Sequence, residues 1–509
     1  MTIESKANVT EAENEKGLSY VIRDGISSQI LTTLVSGAFL IAFALELGAS
    51  NIIIGLLASI AAFAQLLQLP AIYLIEKIRN RKKIVFIFAA LSRSMLLLLI
   101  IIPFISNKAI GITLLLLGLV LFHGLGAVGG SAWNSWMKDL IPQKTMGAFF
   151  SKRMKISLIF GIAVSLLASF FLDYWVESTT YSPVFSYVIL FGIGMLAGMT
   201  GLLFVSKIPD VEIEVRKDKL RLLQLFKKPF KDLNFRNLLV FVSSWSFAIN
   251  LAQPFFIVYM VQLLGYSMKS IIFLMLLQQM VTVVFLSMWG KYVDKFSNKS
   301  VMSICGPLII LSILGWTFTT LPEVHKFTLP LVIILHIAAG IAGAGIMVAN
   351  GNISLKLAPK GEAASYLATN SALTSISAGI APIVGGLMAD FFSTRALTWT
   401  LTYTTPTKLM QLPTLNLTQW DFFFFFAFII GVYALHRLSL VREEGEVDKK
   451  KVMDELFSDF RSQSLTLTSF QGMRRTISTP VALVANVSLT SVRQVVKLPK
   501  QILKKIRRK

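Results

Sequence analysis

Asn250 and Gln253 stand three residues apart in an otherwise apolar run, directly before Pro254. On a helix that spacing puts both amides on one face, and a proline cannot donate to the carbonyl four residues back. The carbonyl oxygen of Asn250 is thereby released, and these groups could together hydrogen-bond a solute or a water. The alternative is a structural kink satisfied by a neighbouring helix. Gln65 and Gln68 share a face in the same way, and Gln278 and Gln279 sit in the middle of another run. They either line the same kind of site or bond amide to amide between helices. Arg93, between Ser92 and Ser94, lies deep in an apolar run, where it must face a cavity or find an acid. It could bind an anionic solute, or be tied to backbone and nearby polar groups. His123 and His336 could each carry a proton near neutral pH, or simply pack between helices. Asp24 and Glu46, at the two ends of the first apolar run, are the candidate proton sites.

Scattered singly in this way, such groups suit binding and release of a solute or proton rather than covalent chemistry, which needs them paired. The apolar runs hold no paired acids and no nucleophile–base set, and the chain shows no nucleotide loop, metalloprotease signature or nucleophile elbow. One cysteine, Cys305, leaves no intrachain disulfide and no cysteine metal site. The four histidines are too scattered for a zinc motif. Neither enzymatic activity nor a cofactor or metal is expected.

The elements that position such residues follow from composition. Of 509 residues, 54% are hydrophobic and 15% charged, where soluble domains are nearer a quarter charged. A membrane helix needs about 20 mostly apolar residues. Twelve runs qualify: 26–46, 53–75, 84–104, 110–132, 155–173, 184–206, 237–262, 268–289, 301–320, 328–349, 366–389 and 420–438. Six precede the basic stretch 207–236 and six follow it. The leader 1–20 is polar, with Glu4, Glu11, Glu13 and Glu15, and does not read as a signal sequence.

Charge gives the orientation. Lys77, Arg79, Arg81, Lys82 and Lys83 follow the second run, Lys138, Lys144, Lys152 and Arg153 flank the fourth loop, and Lys291, Lys295 and Lys299 follow the eighth. The alternate loops carry little. Positive charge stays inside, so both termini are expected in the cytoplasm of a multi-pass protein of the cell (inner) membrane. The net charge of +22 therefore reports topology and lipid contact, and no nucleic-acid partner is expected. From Arg461 to Lys509 there are eleven Lys or Arg and no acid. Val492–Lys509 interleaves apolar residues with basic ones, as in a segment lying on an anionic leaflet; the alternative is a disordered basic tail. Phe391–Gln419 is a long loop on the outer side, Thr-rich and carrying Pro406 and Pro413, expected as an irregular lid or a tolerated insertion.

The chain also repeats itself. Gly290-Lys291-Tyr292-Val293-Asp294-Lys295-Phe296-Ser297-Asn298-Lys299 has a degenerate copy in Ile72-Tyr73-Leu74-Ile75-Glu76-Lys77-Ile78-Arg79-Asn80-Arg81-Lys82, with Glu76 lying 218 positions before Asp294. Leu47-Gly48-Ala49-Ser50 returns as Leu264-Gly265-Tyr266-Ser267, and Pro142 and Asp173 return as Pro359 and Asp390, all 217 positions on. Two copies of one unit make up residues 21–206 and 237–440, with a cytoplasmic segment 1–20, a linker 207–236 and a tail 441–509.

The Gly-x-x-x-Asp-Lys-x-x-Asn-Lys stretch between runs eight and nine, and its partner between runs two and three, resemble the signature loop of the major facilitator superfamily. With twelve runs and a six-plus-six repeat, the resemblance covers about residues 20–440. Trp133-Asn134-Ser135-Trp136, continuing through Asp139 and Pro142 to Arg153, resembles uncharacterised bacterial members. Ile72 and Glu76 depart from the family's usual Gly and Asp. The resemblance implies an all-α membrane protein of two pseudo-symmetric six-helix lobes, with runs one, four, seven and ten around a central cavity. It implies a secondary transporter of a small solute by alternating access, with protons as a candidate coupling ion. An amphipathic or weakly polar cargo and export are the expected details. It also implies a latch in which an acid caps a neighbouring helix and pairs with bases; Glu76, Lys77, Arg79, Arg81, Gly290, Asp294, Lys295 and Lys299 are its candidates. A non-transporting scaffold that recruits lipids or partners through the basic tail is the rival reading.

Overall fold

The computed structural model describes residues 11–141, 146–210, 228–320, 324–359, 363–405 and 408–447, with a few positions beyond. Expectations placed on Pro142, Lys144, Pro406, most of the linker 207–236 and the tail from Arg461 lie outside the described residues. The helices below belong to one compact unit that runs to Glu444.

Twelve helices among the described residues are long and apolar enough to cross a membrane. The first six are α1 Glu13–Glu46, α2 Asn51–Ile78, α3 Arg81–Phe104, α4 Lys108–Leu140, α5 Lys152–Ser178 and α6 Pro183–Val205. The second six are α7 Leu233–Gln262, α8 Met268–Phe296, α9 Asn298–Thr320, α10 Thr328–Leu357, α11 Ser365–Phe392 and α12 Trp420–Ser439. Every expected run falls on one of them. Several helices reach further than their apolar run on the side where α1 begins and α12 ends, here the terminal side. Polar turns such as Trp133–Asp139 continue α4 there, which hydropathy does not count.

Side chains start several of these helices by accepting first-turn N–H groups. Asn107 takes Ala109 and Ile110 at 2.9 and 3.4 Å before α4. Asp232 takes Asn234 and Phe235 at 3.0 and 3.1 Å before α7. Within the first six helices α1 lies along α5 and α6, and α3 along α4; within the second six α10 receives α8 and α9, while α7 receives α11 and α12. The two sets meet where α2 packs on α11, α5 on α8, and the second half of α1 on α7.

Opposite the terminal side, the long loop is a hairpin rather than an irregular lid. Strands β1 Ala396–Thr405 and β2 Lys408–Thr418 pair antiparallel. The reason is in β1 itself: Leu397, Trp399, Leu401 and Tyr403 alternate with threonines, the period of a strand, in residue types that favour it. Pro413 is tolerated because it faces Thr400, where the register shifts. The Phe422–Phe426 run of α12 is divided between core and surface. Phe423 and Phe424 are fully buried, packed against Phe255 and Phe256, while Phe425 and Phe426 are exposed.

Candidate functional site: the seam between the two halves

Close approach of α2 and α11 defines the seam. A Cβ on Gly55 would overlap the Pro382 carbonyl, one on Gly386 would overlap that of Asn51, and one on Gly379 would lie 2.6 Å from the Phe63 ring. Small residues thus let two backbones touch. At the hairpin-side end of this contact Asp390 accepts from Asn51 Nδ2 at 2.8 Å and from the Ile52 N–H at 3.2 Å. Across the second contact, Phe170 of α5 meets Phe273 of α8 edge-on at 6.4 Å, and the Lys269 ammonium lies 4.7 Å from the Phe170 ring. Asp173 faces both the charge and the backbone N–H of Lys269.

The seam stops part-way. A 3-10 turn at Gln65–Leu67 interrupts α2; the segment before it lies along α11, and the segment after it lies on α4. The halves are therefore joined on the hairpin side and parted on the terminal side. Glu76, Lys77, Arg79, Asp294 and Lys295, on the parted side, are all exposed.

The amides sit near this transition. Gln253 and Gln65 are exposed in mid-helix, and Gln65 accepts from Gln68 Nε2. An exposed amide at membrane depth is stable where it meets water rather than hydrocarbon, so these positions mark wet faces. Asn250 Nδ2 donates to the Ser246 carbonyl at 2.8 Å, and Ser246 in turn donates to the Thr374 carbonyl of α11 at 3.2 Å. Helix α7 runs on through Pro254. Gln278 and Gln279 are half-buried, and a Cβ on Gly340 of α10 would lie 2.7 Å from the Gln278 carbonyl oxygen. His123 meets Phe122 edge-on at 5.0 Å. His336 is buried against Trp316, its Nδ1 donating to the Val332 carbonyl at 2.8 Å.

Two charge networks occupy the terminal side. In the first half, Asp24 lies 3.7 Å from Arg93 and 3.9 Å from Arg153. Arg93 also donates to the carbonyl of Gly198 and to Ser28, and Arg153 donates to the Val21 carbonyl while covering the Trp133 ring at 4.9 Å. The structure thus joins two separately chosen residues, Asp24 and Arg93, and ties α1, α3, α5 and α6 together. Arg81, buried, pairs with Asp139 and donates to the Ser135 carbonyl at 3.0 Å. In the second half Glu443, after α12, caps α9. It accepts from the N–H groups of Asn298 and Lys299 at 3.2 and 2.7 Å and from Asn298 Nδ2 at 2.7 Å, and pairs with Lys356 at 2.9 Å. Lys299 is buried and donates to the Ser439 carbonyl at 3.2 Å. Gly290 has open space where a Cβ would stand, and Glu46 is exposed at the far end of α1. Sequence reasoning missed Glu443 altogether, and saw Asp173 and Asp390 only as repeat landmarks. Among the described residues no group of three His, Cys, Asp or Glu could hold a metal ion.

The family model described as Major Facilitator Superfamily matches residues 25–329 and, in a second match, 281–491. The chain belongs to the major facilitator superfamily. Its fold is similar to that of solved transporters of this superfamily. The nucleoside transporter NupG aligns at a TM-score of 0.60 and 13% identity, over 86% of this chain and 100% of that one. A D-xylose-proton symporter gives 0.61 at 13% identity over 85% and 99%. A bacterial homologue of the iron transporter ferroportin, in an inward-facing state, gives 0.59 at 12% identity over 86% and 100%. At these identities the likeness is one of fold. Comparison with curated proteins by sequence finds no match.

Proposed function

We propose that this superfamily member is a secondary transporter that moves a small, amphipathic or weakly polar solute by alternating access, with export favoured over uptake. One observation carries the reading: among the described residues the main contacts between the two six-helix sets lie on the hairpin side, and α2 leaves α11 at the Gln65–Leu67 turn. A site reached from one side, between two similar halves, is what alternating access requires. Asn250, Gln253 and Gln65 supply amide groups rather than fixed charge there, while Arg93 is already engaged by Asp24, Ser28 and Gly198. On the positive-inside reading the parted side is cytoplasmic and the protein lies in the cell membrane, its basic tail against anionic lipid.

A thermal-shift screen of the purified protein against a solute library tests this, because a ligand of the native state raises its stability by mass action. The expected result is a solute whose binding weakens about tenfold in Asn250→Ala or Gln253→Ala, the loss of roughly one good hydrogen bond. Deleting Arg461–Lys509 should leave that binding intact. Should lipids alone shift the protein, and only with the tail present, the recruiting scaffold replaces the transporter. Repeating the titration at two pH values reads whether a proton at Asp24 or Glu46 accompanies the solute.

A further inference from the structure

Asp173 and Asp390 end α5 and α11 in opposite halves, and each reaches the first turn of a helix in the other half. Asp390 accepts from Ile52 N–H and Asn51 Nδ2 at the start of α2. Asp173 faces the backbone N–H of Lys269 at the start of α8. The correspondence is positional: Asp390 lies 217 residues after Asp173, and Lys269 lies 217 after Ile52. Each acid therefore meets the same backbone position of the opposing half. First-turn N–H groups lack partners within their own helix, and a carboxylate is favoured there by the helix dipole and by charge-assisted hydrogen bonds. Both carboxylates are half-buried, where solvent screens them less than at the surface.

We propose that Asp173 and Asp390 are a symmetric pair of latches that hold the hairpin side shut and must release for the transport cycle to proceed. The proposal rests on the alternating-access reading. Neither latch lies within one half, so both are lost whenever the hairpin-side ends separate. An interaction present in one state and absent in the other sets the balance between them. The two are chemically unequal. The α5–α8 latch adds the charge of the Lys269 ammonium, which also covers Phe170, and so is partly a charge–charge attraction. The α2–α11 latch uses the neutral Asn51 beside the Gly55 and Gly386 contacts. Salt should therefore weaken the Asp173 latch more than the Asp390 latch.

The test is a spin-label distance measurement between Ser50→Cys and Gln262→Cys, exposed positions on the hairpin side of the two halves, in a Cys305→Ala background in lipid nanodiscs. The unaltered acids should give one short distance. Asp173→Asn and Asp390→Asn should each enlarge a longer population by roughly five- to tenfold, a helix-end charge interaction being of that order, and the double variant should be mostly long. Asn51→Ala, which removes one of two bonds, should fall between wild type and Asp390→Asn. Identical distances in wild type and the double variant overturn the latches. Solute binding on the same samples separates the two ideas: unchanged distances with intact binding refute the latches alone, whereas absent binding in wild type refutes transport.

Discussion

Glu443 is a buried carboxylate with four partners: two backbone N–H groups, the Asn298 amide and Lys356. Removing one member of such a set leaves the others desolvated and unpaired. Glu443→Ala should therefore cost about 3–5 kcal/mol, read as a large fall in Tm of the purified protein. The exposed neighbour Glu444→Ala serves as control, and equal Tm values for the two would contradict the capping role. Asp210 holds the corresponding place after α6, buried and facing Lys82 near the start of α3. This correspondence escaped the repeat because Glu443 lies 233 positions after Asp210, and the hairpin inserted before α12 accounts for the excess over 217. The loop acids were legible as a family motif, yet in this conformation Glu76 and Asp294 are exposed. A motif names residue types in a loop; which helix end an acid meets depends on how the halves stand. Arg93 and Asp24 show the same limit. Each was visible as costly at membrane depth, but their pairing joins α3 to α1, a contact that spacing along one helix does not encode.

At the scale of elements, α2 is two pieces with different partners, joined at Gln65–Leu67. Mid-helix turns of this kind often mark hinges, and nothing in the hydropathy of residues 53–75 reveals one. The helices themselves were legible because membrane thickness sets a minimum apolar length. The hairpin was legible too, in the alternation of Leu397, Trp399, Leu401 and Tyr403 with threonine, but Thr-rich content and two prolines argued for irregular chain instead. Its side chains on β1 are exposed from Ala396 to Thr404, and its described packing is against the start of α12. Replacing Ala396–Thr418 by a short Gly–Ser linker should change stability by about 1 kcal/mol or less, as for other surface changes. A Tm scan and the solute titration check this; a collapse of either would assign the hairpin a structural or gating role. The Phe422–Phe426 run divides because successive residues on a helix point about 100° apart. Five in a row cannot all face lipid, and Phe423 and Phe424 turn inward.

For the whole molecule, the repeat carried most of what could be read. Two six-helix sets, their order, and the start of α1 lying on the same side as the end of α12 all follow from landmarks that recur at 217 or 218 positions. What the repeat cannot give is which helix ends touch, because the same landmarks are compatible with the halves joined on either side. Alternating access requires the two sides to open in turn. A second spin-label distance, between Lys77→Cys and Lys295→Cys on the terminal side, reads this. It would be taken together with the Ser50→Cys and Gln262→Cys distance in wild type and in the Asp173→Asn, Asp390→Asn double variant. Opposite changes are expected: as the hairpin-side distance lengthens, the terminal-side distance shortens, and a bound solute alters the populations without creating new distances. A terminal-side distance that stays the same in both proteins, with and without solute, would contradict alternating access.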